Sequence, residues 1–61
     1  MVTKMGTFEV FKAVNGNFYF RLKAANGEII AQSEGYASKQ GALNGVQAVK
    51  QYAPGARVVE V

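Results

Sequence analysis

The 61-residue chain contains no cysteine, no histidine and no aspartate. Their absence excludes disulfides, thiolate–zinc sites and imidazole–metal sites together. It also removes most of the side chains that titrate or attack near neutral pH. Four carboxylates remain, Glu9, Glu28, Glu34 and Glu60, and no two are spaced as a recognisable acid–base pair. Ser33 and Ser38 have no candidate base. No phosphate-binding loop of the G-x-x-x-x-G-K-[ST] type occurs. Lys39 beside Ser38 at a helix start is a weak anion signal, of a kind common at capped helices. The expectation is a protein without catalytic activity of its own, without cofactor and without metal. Apolar runs are also short. None approaches the roughly 20 residues of a membrane helix, and Met1 to Lys4 leads into no signal-peptide core, so a cytoplasmic protein with no membrane partner is expected. The net charge of +3, from seven Lys/Arg against four Glu, is compatible with an anionic partner without demanding one.

What is present reads as one small α+β domain spanning residues 1–61. Thr7 to Lys12 (T-F-E-V-F-K) is rich in β-formers. Phe18 to Ala25 alternates, with Phe18, Phe20, Leu22 and Ala24 on one face and Tyr19, Arg21 and Lys23 on the other, the period of a half-buried strand. Glu28 to Ser33 is a third strand. Asn15-Gly16 and Asn26-Gly27 separate the three, and Asn-Gly is the strongest short hairpin signal, so the strands form an antiparallel meander. A three-residue loop Val14-Asn15-Gly16 sets Glu9 opposite Arg21 and Val10 opposite Phe20. A two-residue loop would put a carboxylate opposite Leu22, so the first register is favoured. A two-residue turn at Asn26-Gly27 would align Ala24 with Ile29 and Leu22 with Ala31. The expected core face is then Phe8, Val10, Phe18, Phe20, Leu22, Ala24, Ile29 and Ala31.

Ser38 is a good N-cap. Ala42, Val46, Val49 and Ala53 recur at helical spacing, and Pro54-Gly55 ends the helix. Gly41 and Gly45 lie inside it, where each costs up to about 1 kcal/mol relative to Ala. Close packing against the sheet is the simpler explanation, and a ligand or partner helix in that groove the other. Arg57, Val58, Val59, Glu60 and Val61 read as a short C-terminal strand.

The second face of the sheet would display Phe11, Tyr19, Arg21, Lys23, Ile30 and Gln32. Aromatic rings beside basic side chains on an open sheet can stack single-stranded bases and hold phosphates. Alternatively a partner subunit, or the Gly35-Tyr36 loop, covers the apolar members and leaves Arg21 and Lys23 as a solvated rim. Both readings stand at this level.

The run from Phe20 to Lys39, with its S-E-G-Y-A-S-K block (Ser33 to Lys39), followed by A-L-N-G-V-Q-A-V-K (Ala42 to Lys50) and A-P-G-A, resembles the YegP-like family of small bacterial domains of unknown function. The opening F-E-V-F-K fits as well; Val14 is less polar than is usual there. The resemblance implies a β-β-β-α-β unit, an antiparallel meander with one packed helix. It also implies that two units form one sheet and exchange C-terminal strands. A single copy in the chain implies a homodimer; no ligand or catalytic residue is implied. The residues support the dimer in their own way. A chain this short buries only about 60% of its unfolded surface, and association is the stabiliser its composition leaves open. Its last strand is set off by a helix and a tight turn, and exchange of an identical element is a low-cost route to a two-fold dimer.

Overall fold

Two Asn-Gly turns organise the sheet. In the computed structural model, which describes residues 5–61, strands β1 (Thr7–Lys12), β2 (Phe18–Lys23) and β3 (Ile29–Gln32) form an antiparallel sheet in the order β1-β2-β3, followed by one helix, α1 (Lys39–Tyr52). The reading of Met1 to Lys4 lies outside the described residues. The first hairpin has the expected register, with Glu9 opposite Arg21, Val10 opposite Phe20 and Phe8 opposite Leu22. Its loop is Val14-Asn15-Gly16. The Ala13 N–H donates to Asn17 O (2.8 Å) and the Gly16 N–H to Ala13 O (2.9 Å), with Gly16 at φ 89°. This is a type I turn closed by a left-handed residue, the position that selects glycine.

The second hairpin departs from expectation. The Ala24 N–H donates to Glu28 O (2.7 Å) and the Gly27 N–H to Ala24 O (2.9 Å), so the loop holds three residues, Ala25-Asn26-Gly27, not two. The cause is local. Asn26 Oδ1 accepts the Glu28 N–H at 3.0 Å, as Asn15 Oδ1 accepts the Asn17 N–H at 2.9 Å. Both Asn-Gly pairs thus build the same side-chain-stabilised turn. The extra loop residue sets Ile29 opposite Lys23, and a bulge next to Leu22 restores the expected pairing with Ala31. Cross-strand partners share a face, so Ile29 leaves the expected core face and is 54% exposed. Ala31 is exposed too, because α1 packs on β1 and β2 and not on β3.

Helix α1 begins where the cap predicts. Ser38 is extended (φ −134°, ψ 156°), and its Oγ accepts the Gly41 N–H at 3.0 Å. The buried apolar side chains among the described residues are Phe20, Ala42 and Val46. Phe8, Val10, Phe18, Leu22, Ala24 and Val49 are half-buried, and Ala53, at the C-cap, is exposed. The Phe20 ring meets Phe8 edge-on (centroids 6.0 Å apart) and stacks on Tyr36 (6.3 Å, 21° between planes). Tyr36 is held by a bridge to Phe18, each accepting the other's N–H at 2.8 Å.

That ring pair accounts for Gly45. A Cβ there would stand 2.6 Å from Tyr36 Oη and 2.7 Å from Phe20 Cε2, whereas one on Gly41 would stand 3.3 Å from Ser38 Oγ and 3.4 Å from Tyr36. Overpacking a core costs about 1–3 kcal/mol, against a helix-propensity gain of up to about 1 kcal/mol. Gly45→Ala is therefore expected to lower stability by up to about 2 kcal/mol, and Gly41→Ala to leave it unchanged or raise it by up to about 1 kcal/mol. Paired urea melts measure both. A Gly45→Ala protein as stable as the original would remove the packing explanation.

After α1, the Ala56 N–H donates to Ala53 O (3.0 Å) across Pro54 and Gly55 (φ 82°), a type II turn with its preferred residues. Arg57 to Val61 then form no strand among the described residues. Val58 is 96% exposed, Val59 68%, and Val61 fully exposed.

Candidate functional site

Two surfaces hold the residues singled out from sequence. The first is the sheet face opposite α1. Register brings Phe11 opposite Tyr19, Glu9 opposite Arg21, and Arg21 opposite Gln32, with Lys23 the next outward residue of β2. Five of the six residues expected there, Phe11, Tyr19, Arg21, Lys23 and Gln32, therefore lie together; Ile30 falls in the bulge, and Ile29 takes the place opposite Lys23. Phe11 and Tyr19 stack with centroids 5.8 Å apart and planes 19° from parallel. The Arg21 guanidinium carbon lies 4.7 Å from the Phe11 centroid, within cation–π range. Arg21 Nε also donates to Glu9 Oε1 at 2.6 Å, and Lys23 Nζ stands 3.6 Å from Glu9 Oε2. Beyond Tyr19, a Cβ added to Gly35 would come 3.0 Å from the Tyr19 hydroxyl and 3.2 Å from its ring, and Asn15 Nδ2 donates to that hydroxyl at 3.0 Å.

The face is thus a laddered stack: Arg21 on Phe11, Phe11 beside Tyr19, and the Gly35 backbone against Tyr19. Of the loop expected to cover the apolar members, Gly35 covers Tyr19, while Tyr36 turns to the opposite face and joins the core. Ile30 is 61% exposed. Sequence alternation locates the members of this face but not the second partner of Glu9. Nor does it show Ser33, whose Oγ accepts the Phe20 N–H at 2.9 Å in place of a ladder carbonyl. The only signal for that irregularity is the serine itself, at the end of a strand pattern.

Glu9 is held below its ordinary carboxylate value, chiefly by the hydrogen bond from Arg21; desolvation opposes this, and the charges of Lys23 and Arg21 add to the lowering. A folded-state pKa below the unfolded value gives stability that is present above the unfolded pKa and is lost as pH falls through the folded one. The melting temperature should therefore decline on acidification through and below the ordinary carboxylate range. Glu9→Gln should flatten that decline and lower stability at pH 7. The pair is half-exposed, so 1 M salt should shrink the difference. An unchanged acid limb in Glu9→Gln would contradict this assignment.

The second surface is the C-terminal segment. Arg57, Val58, Val59, Glu60 and Val61 make no strand pairing among the described residues. Among the described residues, β1 and β3 each present one unpaired edge in the three-stranded sheet. No helix among the described residues is long and apolar enough to cross a membrane, and none of their carboxylates cluster in threes as a metal site would require.

Comparison with known proteins places this arrangement. A domain of unknown function, DUF1508, matches residues 13–60. A UPF0339 protein of Treponema denticola is 54% identical over 56 residues, covering 92% of this chain and 97% of its own. The UPF0339 protein YegP of Yersinia pestis is 52% identical over 50 residues, or 82% of this chain, but the match covers only 45% of its length. Among solved structures, the solution structure of a Haloferax volcanii protein superposes with a TM-score of 0.86 at 43% identity, covering 97% of this chain and 100% of that one. Protein ATU0232 of Agrobacterium tumefaciens gives a TM-score of 0.79 at 38% identity, covering 92% and 90%.

Proposed function

From the premise that this chain belongs to the DUF1508 (UPF0339) family, we propose that it works as a homodimeric, non-catalytic binding or structural module whose C-terminal strand crosses to a second copy. The observation that carries this reading is the state of Val58, Val59 and Val61. Three β-branched apolar side chains at the end of a folded domain face solvent, while the buried apolar side chains among the described residues are Phe20, Ala42 and Val46. Contiguous apolar exposure of this kind marks an interface. The relatives supply a second support. One has nearly this chain's length, and another is about twice as long as its match; a chain of double length has room for two such units side by side. The composition supports the absence of catalysis, since His, Cys and Asp are missing altogether.

Sedimentation equilibrium tests the reading. The expected particle is twice the 6.6 kDa chain mass at micromolar concentration, and a 6.6 kDa particle that melts cooperatively would overturn it. The alternative occupant of the open sheet face, single-stranded nucleic acid, has the basic and aromatic residues brought together there in its favour. A base would have to displace Arg21 from Phe11, since the other ring neighbours are already in place. Titration with single-stranded RNA at about 50 mM salt, where phosphate contacts are strong, decides it. Binding that weakens steeply with salt and is lost in Arg21→Glu/Tyr19→Ala would establish it, and no binding would remove it.

A further inference from the structure

We infer that the Glu9 carboxylate holds the place of a nucleic-acid phosphate on the open sheet face. One nucleotide of a single strand then binds by a paired exchange. Its phosphate replaces Glu9 between Arg21 and Lys23, and its base replaces Arg21 on the Phe11 ring. This deepens the nucleic-acid reading above and rests on it. Arg21 Nε donates to Glu9 Oε1 at 2.6 Å, and Lys23 Nζ stands 3.6 Å from Glu9 Oε2. One carboxylate oxygen thus faces each cation. A phosphodiester, with two charged non-bridging oxygens, meets an Arg and a Lys in the same way. The three side chains are about one-third exposed, so a ligand reaches them from solvent. Ion pairs with that much exposure are weak, and a polyanion that releases counterions as it binds displaces them.

The base seat follows from the second contact of Arg21. The Phe11 ring is stacked beside Tyr19 (centroids 5.8 Å apart), and the Arg21 guanidinium carbon lies 4.7 Å from its centroid. Tyr19 is fixed: Asn15 Nδ2 donates to its hydroxyl at 3.0 Å, and the Gly35 backbone lies against its ring. Arg21 is the neighbour a ligand can draw off. The guanidinium that leaves Glu9 for a phosphate also leaves Phe11 for a base, which lengthens the existing stack by one ring. Such stacking tolerates any base. An acidic peptide would satisfy Arg21 and Lys23 but brings no ring to Phe11. A duplex keeps its bases stacked inside, out of reach of an aromatic platform. The juxtaposition of an occupied phosphate seat with a ring covered by the same arginine therefore fits a single strand.

The test titrates the full chain with a labelled single-stranded RNA of about ten nucleotides, followed by fluorescence anisotropy at several salt concentrations. Glu9→Gln should bind about fivefold tighter than the native chain at about 50 mM salt, the worth of one exposed ion pair. The advantage should narrow as salt rises and screens the pair. Glu28→Gln removes the same charge at the second turn, away from the Arg21 and Lys23 pairs, and should change affinity by less than about twofold. Adding Phe11→Leu to Glu9→Gln should cancel the gain, since one stacked base contributes about fivefold or more. A second measurement needs no variant: in the native chain, RNA should shift the Arg21 Nε–H and Phe11 ring resonances together. Equal binding by native and Glu9→Gln chains, or an equal gain in Glu28→Gln, would overturn the phosphate seat and leave sheet-face binding standing. A glutamate-rich peptide that shifts both resonances as RNA does would overturn the base seat. No binding by either the native or the Glu9→Gln chain would overturn the nucleic-acid reading and this inference with it.

Discussion

Removal of Arg57 to Val61 is expected to leave a chain that does not fold. In the single chain these residues touch little, so a domain complete in itself would lose almost nothing with them. If they form a strand of a second copy, each molecule loses three valines from an interior. Full burial of such a side chain contributes about 1.5–3 kcal/mol, so their loss withdraws roughly 4–9 kcal/mol from each half of the assembly. Whole domains are stable by only about 5–15 kcal/mol, and small ones sit at the low end. Circular dichroism of the shortened chain should show no cooperative melt, and gel filtration should show an expanded or aggregated species. A truncated protein with the melting temperature of the full-length chain would mean that the C-terminal valines hold nothing together.

Phe20→Ala is the second substitution with a large expected effect. Phe20 is 7% exposed, and its ring lies between the edge of Phe8, the face of Tyr36 and the backbone of Gly45. Truncating a buried phenylalanine costs about 3–5 kcal/mol. The site has little means of closing, because Gly45 has no side chain to move in and Tyr36 is anchored by its backbone bridge to Phe18. A loss near the top of that range is predicted, enough to abolish the folded state at 25 °C or to bring the urea midpoint close to zero. Phe20→Leu, which keeps most of the volume, should retain a cooperative transition at reduced stability. Equal losses for the two would show that the ring's packing is not what matters.

How far the sequence discloses this architecture depends on how local each determinant is. The first hairpin is legible because its turn residues and the pairing of Glu9 with Arg21 agree. The helix is legible because its cap, stripe and stop lie within eighteen residues. The second hairpin misleads because Asn26-Gly27 suits a two-residue turn as well as a three-residue one. The choice is made by the Asn26 side chain reaching the Glu28 amide, which no hydrophobic pattern records. The displacement of Ile29 follows from that one residue. Tyr36 appears in sequence as a loop residue, and only the fold shows its ring filling the space that Gly45 leaves. The open sheet face is legible as a set of residues but not as a stack, since alternation fixes which side each residue takes and not how Arg21 divides itself between Glu9 and Phe11. The C-terminal segment is not legible locally at all, because its five extended-type residues form no strand among the described residues of the chain.

The account rests on the interior of each molecule being completed by another copy, and the concentration dependence of unfolding tests this most directly. For a folded dimer that melts to two chains, a hundredfold dilution removes about 2.7 kcal/mol of apparent stability. Two 61-residue chains unfold with an entropy of about 2.1 cal/mol/K per residue, so the melting temperature should fall by about 10 °C between high and low micromolar-range samples a hundredfold apart. A melting temperature that stays the same across that dilution, with the transition still cooperative, would show that one chain suffices for the fold and would contradict the account.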